Sequence, residues 1–178
     1  MVDINKSILN KNNFRLLIDK VPTVEYYVQG VNIPGVSFDE VVQPAGVGVD
    51  GYFPGDKVSF DTLNVTFLVD EDLANYKEMY DWMSEIVPIA SPDKYGELVG
   101  STKNTLSVAN QSGDALKTQS MITLVTNTNK NLPNRYFRFY DAFPIALGGL
   151  ELLSGSETEP VTCEVQFRFT FYDIKTSS

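Results

Sequence analysis

Residues 161–171 read VTCEVQFRFTF. Val161, Cys163, Val165, Phe167, Phe169 and Phe171 occupy the odd positions, and Thr162, Glu164, Gln166, Arg168 and Thr170 the even ones. An apolar-polar period of two, unbroken over eleven residues, is the pattern of a strand with one face buried. Cys163 falls on the apolar face, which makes it a small core residue rather than a reactive thiol. The same period organises Val58–Val69 with a change of register. Val58 and Phe60 lie on one parity and Leu63, Val65, Phe67 and Val69 on the other. One extra residue near Asp61-Thr62 would restore a single face, so a β-bulge is expected there.

Shorter strands are predicted at Phe14–Asp19, Tyr26–Ile33, Val36–Gln43, Met121–Thr126, Arg135–Asp141 and Leu147–Leu152, all rich in β-branched and aromatic residues and separated by turn residues. A single helix interrupts them. Asp70 is placed to cap it, and Glu71 and Asp72 put negative charge on its first turn. Leu73, Tyr76, Met79, Tyr80, Met83 and Ile86 then recur at helical spacing until Pro88, with Trp82 beside them. Tyr76, Met79 and Trp82 read as packing residues.

Two segments break the pattern. Ser91–Thr118 is a long polar loop or insertion, and Pro44–Asp56, PAGVGVDGYFPGD, holds four glycines and two prolines. The second segment still carries Val47, Val49, Tyr52 and Phe53, so it either folds onto its own core or packs on another subunit. With no linker and no repeat, residues 1–178 read as one mainly antiparallel β domain with one packed helix, an α+β sandwich or roll.

Composition excludes much chemistry. The 178 residues include no histidine and one cysteine, and carry a net charge of −9. Imidazole-dependent nucleophilic catalysis, cysteine- and histidine-built zinc sites and an internal disulfide are therefore ruled out. Residues 21–90 hold twelve acids against two bases, Lys57 and Lys77. Such acidity disfavours binding to nucleic acid, and Arg135, Arg138 and Arg168 are too few to make a strand-binding platform. The motif search is equally negative: Gly46-Val47-Gly48 lacks the rest of a phosphate loop, and Asp70-Glu71-Asp72 departs from calcium-loop spacing. Glu157 and Glu159 match a glycosidase pair only as chance neighbours, and Asn64-Val65-Thr66 matches a glycosylation acceptor in letters alone. No catalytic residue, cofactor site or metal site is expected. The longest run free of polar side chains, Ala142–Leu150, is too short to span a bilayer, and a soluble chain made in a reducing cytosol is expected. A strand-rich domain with open edges and an apolar loop points instead to self-assembly, which closes into a ring when the pairing repeats about an axis.

The order of these elements resembles the tail tube protein of contractile-tailed bacteriophages. The correspondence starts at Asn13-Phe14 and the Gly30–Pro34 segment, and continues through the Val41–Gly55 loop with its Pro44-Ala45-Gly46 step. It then takes in Asp61–Asp70, the helix with Trp82, the block FRFYDAFPIALGGLEL, and a last strand ending in Tyr172-Asp173. The resemblance covers nearly the whole chain. It implies a non-enzymatic virion protein forming stacked, hexameric rings around the ejected genome, with strands contributed to a shared ring barrel. The alternatives it implies are a baseplate or tail-end protein that starts or caps the tube, and a secretion-type tube protein. Implied partners are further copies, the sheath, baseplate and terminator proteins, and DNA passing through without specific binding, in a tail assembled in the bacterial cytoplasm. The resemblance also implies an intersubunit arm with Pro44, Val47, Val49, Tyr52, Phe53 and Pro54. Glu40, Asp61, Glu151 and Glu164 are the acids it would place towards the lumen, where negative charge keeps a polyanion from sticking.

Overall fold

The computed structural model describes residues 8–86, 119–152, 154 and 159–176. The polar stretch Ser91–Thr118, Pro88 and Glu157 lie outside them. In chain order the elements are β1 (Phe14–Ile18), a 3-10 turn (Val24–Tyr27), β2 (Val28–Val31), β3 (Val36–Gln43), β4 (Gly51–Phe60), β5 (Leu63–Leu68), α1 (Ala74–Ile86), β6 (Ser120–Asn127), β7 (Pro133–Leu147), β8 (Thr162–Arg168) and β9 (Phe171–Thr176).

The alternating stretch lies at the centre of the fold. Cys163, Val165, Phe167 and Phe169 are buried, while Thr162, Glu164, Arg168 and Thr170 are exposed. β8 pairs with β5 on one side, Val65 opposite Val165 and Phe67 opposite Cys163, and with β7 on the other. At Phe169-Thr170 the chain bends and continues as β9 along the same edge of β7, with the Thr170 N–H donating to the Tyr140 carbonyl at 3.0 Å. β7 is 15 residues long and serves two layers. Its first part lies between β6 and β9, with β1 beyond β6. Its last part pairs with β8, followed by β5 and β2. The change of layer falls at Asp141, whose φ of 55° is the kind of local kink that lets a long strand turn a corner. We call the layers the front sheet (β1-β6-β7-β9) and the back sheet (β7-β8-β5-β2).

Between them lies the core, built from Leu16, Ile18, Ile122, Leu124 and Phe139 of the front sheet and Leu63, Val65, Phe67, Val165 and Phe167 of the back sheet. α1 closes it with Met79 and Trp82, the indole ring 5.9 Å from the Phe167 ring. The helix starts three residues later than expected. Asp70–Leu73 is a turn, with the Leu73 N–H donating to the Asp70 carbonyl at 3.0 Å and Leu73 at a φ of 56°. Asp70 still caps the helix, because its carboxylate accepts the Asn75 N–H at 3.3 Å. Buried Asn75 in turn donates to the Leu68 carbonyl at 2.8 Å, tying the helix start to the end of β5. Leu73 and Tyr80, expected on the apolar stripe, are exposed.

Three strand expectations change. Val58–Val69 is two strands in two sheets: the Asp61 N–H donates to the Gly35 carbonyl at 3.1 Å, and Asn32 accepts the Asn64 N–H at 2.5 Å while donating to the Thr62 carbonyl at 3.2 Å. These bonds hold a corner where a bulge would have left one strand. The first residues of Tyr26–Ile33 belong to the 3-10 turn. Leu147–Leu152 leaves the sheet after Leu147, where the Gly148 N–H makes a last bond to the Glu164 carbonyl at 2.7 Å.

Candidate assembly surface

Among the described strands, β3 and β4 pair only with each other, as a hairpin projecting from the seven-stranded sheet. Val36 lies opposite Phe60, Phe38 opposite Val58, Val42 opposite Tyr52, and Glu40 opposite Pro54. Residues directly opposite in an antiparallel pair share a face. The even-numbered face therefore carries Val36, Phe38, Val42, Tyr52, Pro54, Val58 and Phe60 with Glu40 among them, and Asp56 stands between Pro54 and Val58 at the same parity. Only Phe60 of this group is drawn into the domain, 5.6 Å from the Phe169 ring and 5.4 Å from that of Tyr172. The others face solvent, Phe38 at 69% and Tyr52 at 65% exposure. The apolar face joins the core at Phe60 and is exposed along the rest of its length. The odd-numbered face is mostly polar, with Ser37, Asp39, Gln43, Lys57 and Ser59 around the single apolar pair Val41 and Phe53.

The base of the hairpin is well secured. Besides the Phe60 contacts, the Arg168 guanidinium donates to the Phe60 carbonyl at 3.1 Å, and the Tyr172 hydroxyl to the Pro34 carbonyl at 3.5 Å. Midway, β4 takes two more residues than β3 between the Phe38–Val58 and Glu40–Pro54 pairs. This bulge is why Pro54 and Gly55 can stand inside a strand, although the sequence read as irregular over 44–56. A Cβ on Gly55 would lie 2.6 Å from the Asp39 carbonyl oxygen, so the two backbones pass at a distance only glycine permits. The irregular part is Pro44–Asp50, closed by the Asp50 carboxylate accepting the Ala45 N–H at 2.9 Å and turning at Gly48, φ 108°. Val47 and Val49 stand at this tip, Val47 at 99% exposure.

Pro44, Val47, Val49, Tyr52, Phe53 and Pro54 thus all lie on the hairpin, but Tyr52 and Phe53 point to opposite faces. Val36, Phe38, Val42 and Val58 complete the apolar face and are missing from the sequence-based set. Their signal was the period of two in Val36–Gln43, which could have been continued across the turn. The four acids do not share a surface. Glu40 is on the hairpin and Asp61 at its base, while Glu151 follows β7 in an exposed segment. Glu164 is on the outer face of the back sheet, opposite Thr66 and near Asn64, Gln166 and Arg168. Among the described residues, no three acidic or cysteine side chains are grouped to hold a metal ion. No described helix is long and apolar enough to cross a membrane. Cys163 is buried, which pushes its thiol above the ordinary range, and it donates to the Gly148 carbonyl at 3.4 Å.

The fold is thus an antiparallel β domain that holds an exposed apolar hairpin face on a secured base. Residues 3–175 match the family model for the phage tail tube protein, and the chain belongs to that family. It is 24% identical over 173 residues to the tail tube terminator protein of Enterobacteria phage T4, covering 93% of this chain and 88% of that one. Among solved structures, the sheath-tube complex of the extracellular contractile injection system PVC has a similar chain (TM-score 0.61, 15% identity, 97% of this chain and 94% of that one). The PVC sheath/tube terminator is similar too (TM-score 0.60, 15% identity, 98% and 99%), as is the tube-terminating cap of the anti-feeding prophage (TM-score 0.59, 14% identity, 98% and 96%).

Proposed function

We propose that this chain is a tube terminator, a protein of tail-tube fold that forms one ring on the end of a phage tail tube and stops its growth. The observation that carries this reading is the near full-length similarity to the T4 terminator, 24% over 93% of the chain. The likeness to a second terminator and a cap supports the matching fold. The expectation drawn first from the sequence, a repeating tube subunit, becomes the second reading. It is favoured by the family model and by the sheath-tube complex.

In this reading the ring uses two features of the fold. The back sheet has two open edges among the described strands: β2, and the last part of β7, where the β6 ladder ends at Ala142. Joining one edge to the other edge of the next copy would close a barrel and leave no edge of the back sheet open. Its outer face, with Asn64, Thr66, Glu164, Gln166 and Arg168, is polar enough to line a water-filled channel for DNA. The hairpin then covers its apolar face on a neighbour. The ring would sit in the virion tail, against tube and sheath and without catalysis.

Electron microscopy of the purified protein, alone and with preformed tubes, tests the reading. A terminator gives single rings and tubes capped at one end. Open-ended growth of long tubes from this protein alone would replace it with the subunit reading.

A further inference from the structure

The hairpin's apolar face needs a mate, and the outer face of the front sheet has the chemistry to be one. Cross-strand pairing sets its rows. Arg15, Val125, Tyr136 and Lys175 form one, and Leu17, Thr123, Arg138 and Asp173 the next. Tyr140 and Phe171 follow, with their rings stacked at 4.6 Å. Asp173 is already engaged, its carboxylate accepting from Tyr140 at 3.2 Å and pairing with Lys175 at 3.1 Å. Asp19 and Asp141 lie at the end of this sheet away from the β6–β7 turn. Arginine and tyrosine are the residue types that interfaces concentrate.

The hairpin face offers the reverse pattern, Phe38, Val42, Tyr52 and Val58 interspersed with Glu40 and Asp56. The dimensions also agree: β3 has eight residues, about 26 Å at ~3.3 Å per residue, and the part of β7 paired with β6, from Pro133 to Ala142, is slightly longer. A chain cannot make this contact with itself. Its hairpin is anchored by Phe60 on the core side of β9, at Tyr172, whereas Phe171 and Asp173 point to the other side of the sheet.

We infer that the even-numbered face of the β3–β4 hairpin docks on the outer face of the front sheet of a second copy of this chain. Glu40 and Asp56 meet Arg15, Arg138 and Lys175 there, while Phe38 and Tyr52 pack against Tyr136, Tyr140 and Phe171. The contact joins two different patches, so it is head-to-tail and propagates around a ring. The inference rests on the ring reading above.

The test is charge reversal with restoration. Glu40→Lys with Asp56→Lys, Arg15→Glu with Arg138→Glu, and all four together are compared with the unmodified chain by light scattering and negative-stain microscopy. Thermal melts check that each variant is folded. Each reversed pair is expected to raise the concentration needed for rings at least tenfold, more strongly at low salt, and the fourfold variant to restore it. Rings that form unchanged from either reversed pair overturn the docking and leave the ring reading standing. A fourfold variant no better than the pairs also overturns it. An unmodified chain that stays monomeric alone and leaves tube ends bare removes both readings. Reversed pairs that keep rings but lose tube or sheath binding assign the front sheet to another partner and refute the proposal.

Discussion

Removing the two largest exposed side chains of the hairpin's apolar face, Phe38→Ala with Tyr52→Ala, should disable assembly without unfolding the chain. An aromatic side chain has about 150–250 Å² to bury. Phe38 and Tyr52 are 69% and 65% exposed, which leaves each about 100–170 Å² for a neighbour to cover. At about 25 cal/mol per Å², full coverage would contribute about 2.5–4 kcal/mol per ring. If docking covers half of that surface, the pair contributes about 3 kcal/mol to each interface, roughly a hundredfold in its dissociation constant. The monomer barely feels the change, because substitutions at exposed sites usually stay within about 0.5 kcal/mol. Light scattering over a concentration series measures the shift, and a thermal melt supplies the control. Phe53→Ala, on the opposite face, should shift assembly by less than about tenfold, or below 1.4 kcal/mol. Equal losses from the two faces, or normal rings from the Phe38/Tyr52 variant, would refute the reasoning.

Other outcomes follow from the same geometry. Gly55→Ala places a Cβ against the Asp39 carbonyl and should splay the hairpin, seen as faster amide exchange over β3 and β4 with little change in melting temperature. Trp82→Ala removes the core contact of α1 and should cost about 3–5 kcal/mol, read as a melting temperature lower by roughly 10 °C. Cys163 should resist a thiol reagent in the folded protein near neutral pH and react at once after denaturation. Because burial raises its folded pKa, the folded state holds that proton longer than the unfolded one. The thiol's share of stability is thus intact below the unfolded thiol's pKa and lost as pH rises through the folded one, which denaturant titrations on either side can measure. Raising salt should weaken the Lys77–Asp81 pair on α1, which holds the ammonium above its ordinary range, with no measurable effect on melting because the pair is exposed.

The parts of the fold that were legible in the sequence are those where one strand face is buried and the other wet. The alternation from Val161 shows the face of β8, and Cys163, Val165, Phe167 and Phe169 are buried as it expects, whereas Val161 is half-buried and Phe171, beyond the bend, turns to the outer face. The helix was legible from its spacing, but its start was not. An acidic triplet reads as a first turn, and nothing local announces that Leu73 takes a left-handed backbone before Ala74. The hairpin was concealed for a different reason. Both its faces are exposed in the single chain, so burial writes no alternation across β4, and Pro54-Gly55 imitates a loop while serving a bulge. The corner at Asp61-Thr62 depends on Asn32, about 30 residues away, and no pattern within a strand records such a partner. A lumen is defined by how copies are arranged, so no position along one chain, neither that of Glu40, Asp61 and Glu151 nor that of Glu164, records it.

β7 runs through both sheets as one covalent strand, so its alternation works like a clock shared by two machines. Front and back keep time with each other only through the kink at Asp141. Deleting a single residue there would leave each sheet able to form its own ladder but set the two half a cycle apart. Side chains meant for the core in one sheet would then face outwards whenever the other sheet was correctly packed. A strand of this kind tolerates replacement of many of its side chains far better than any change in its count.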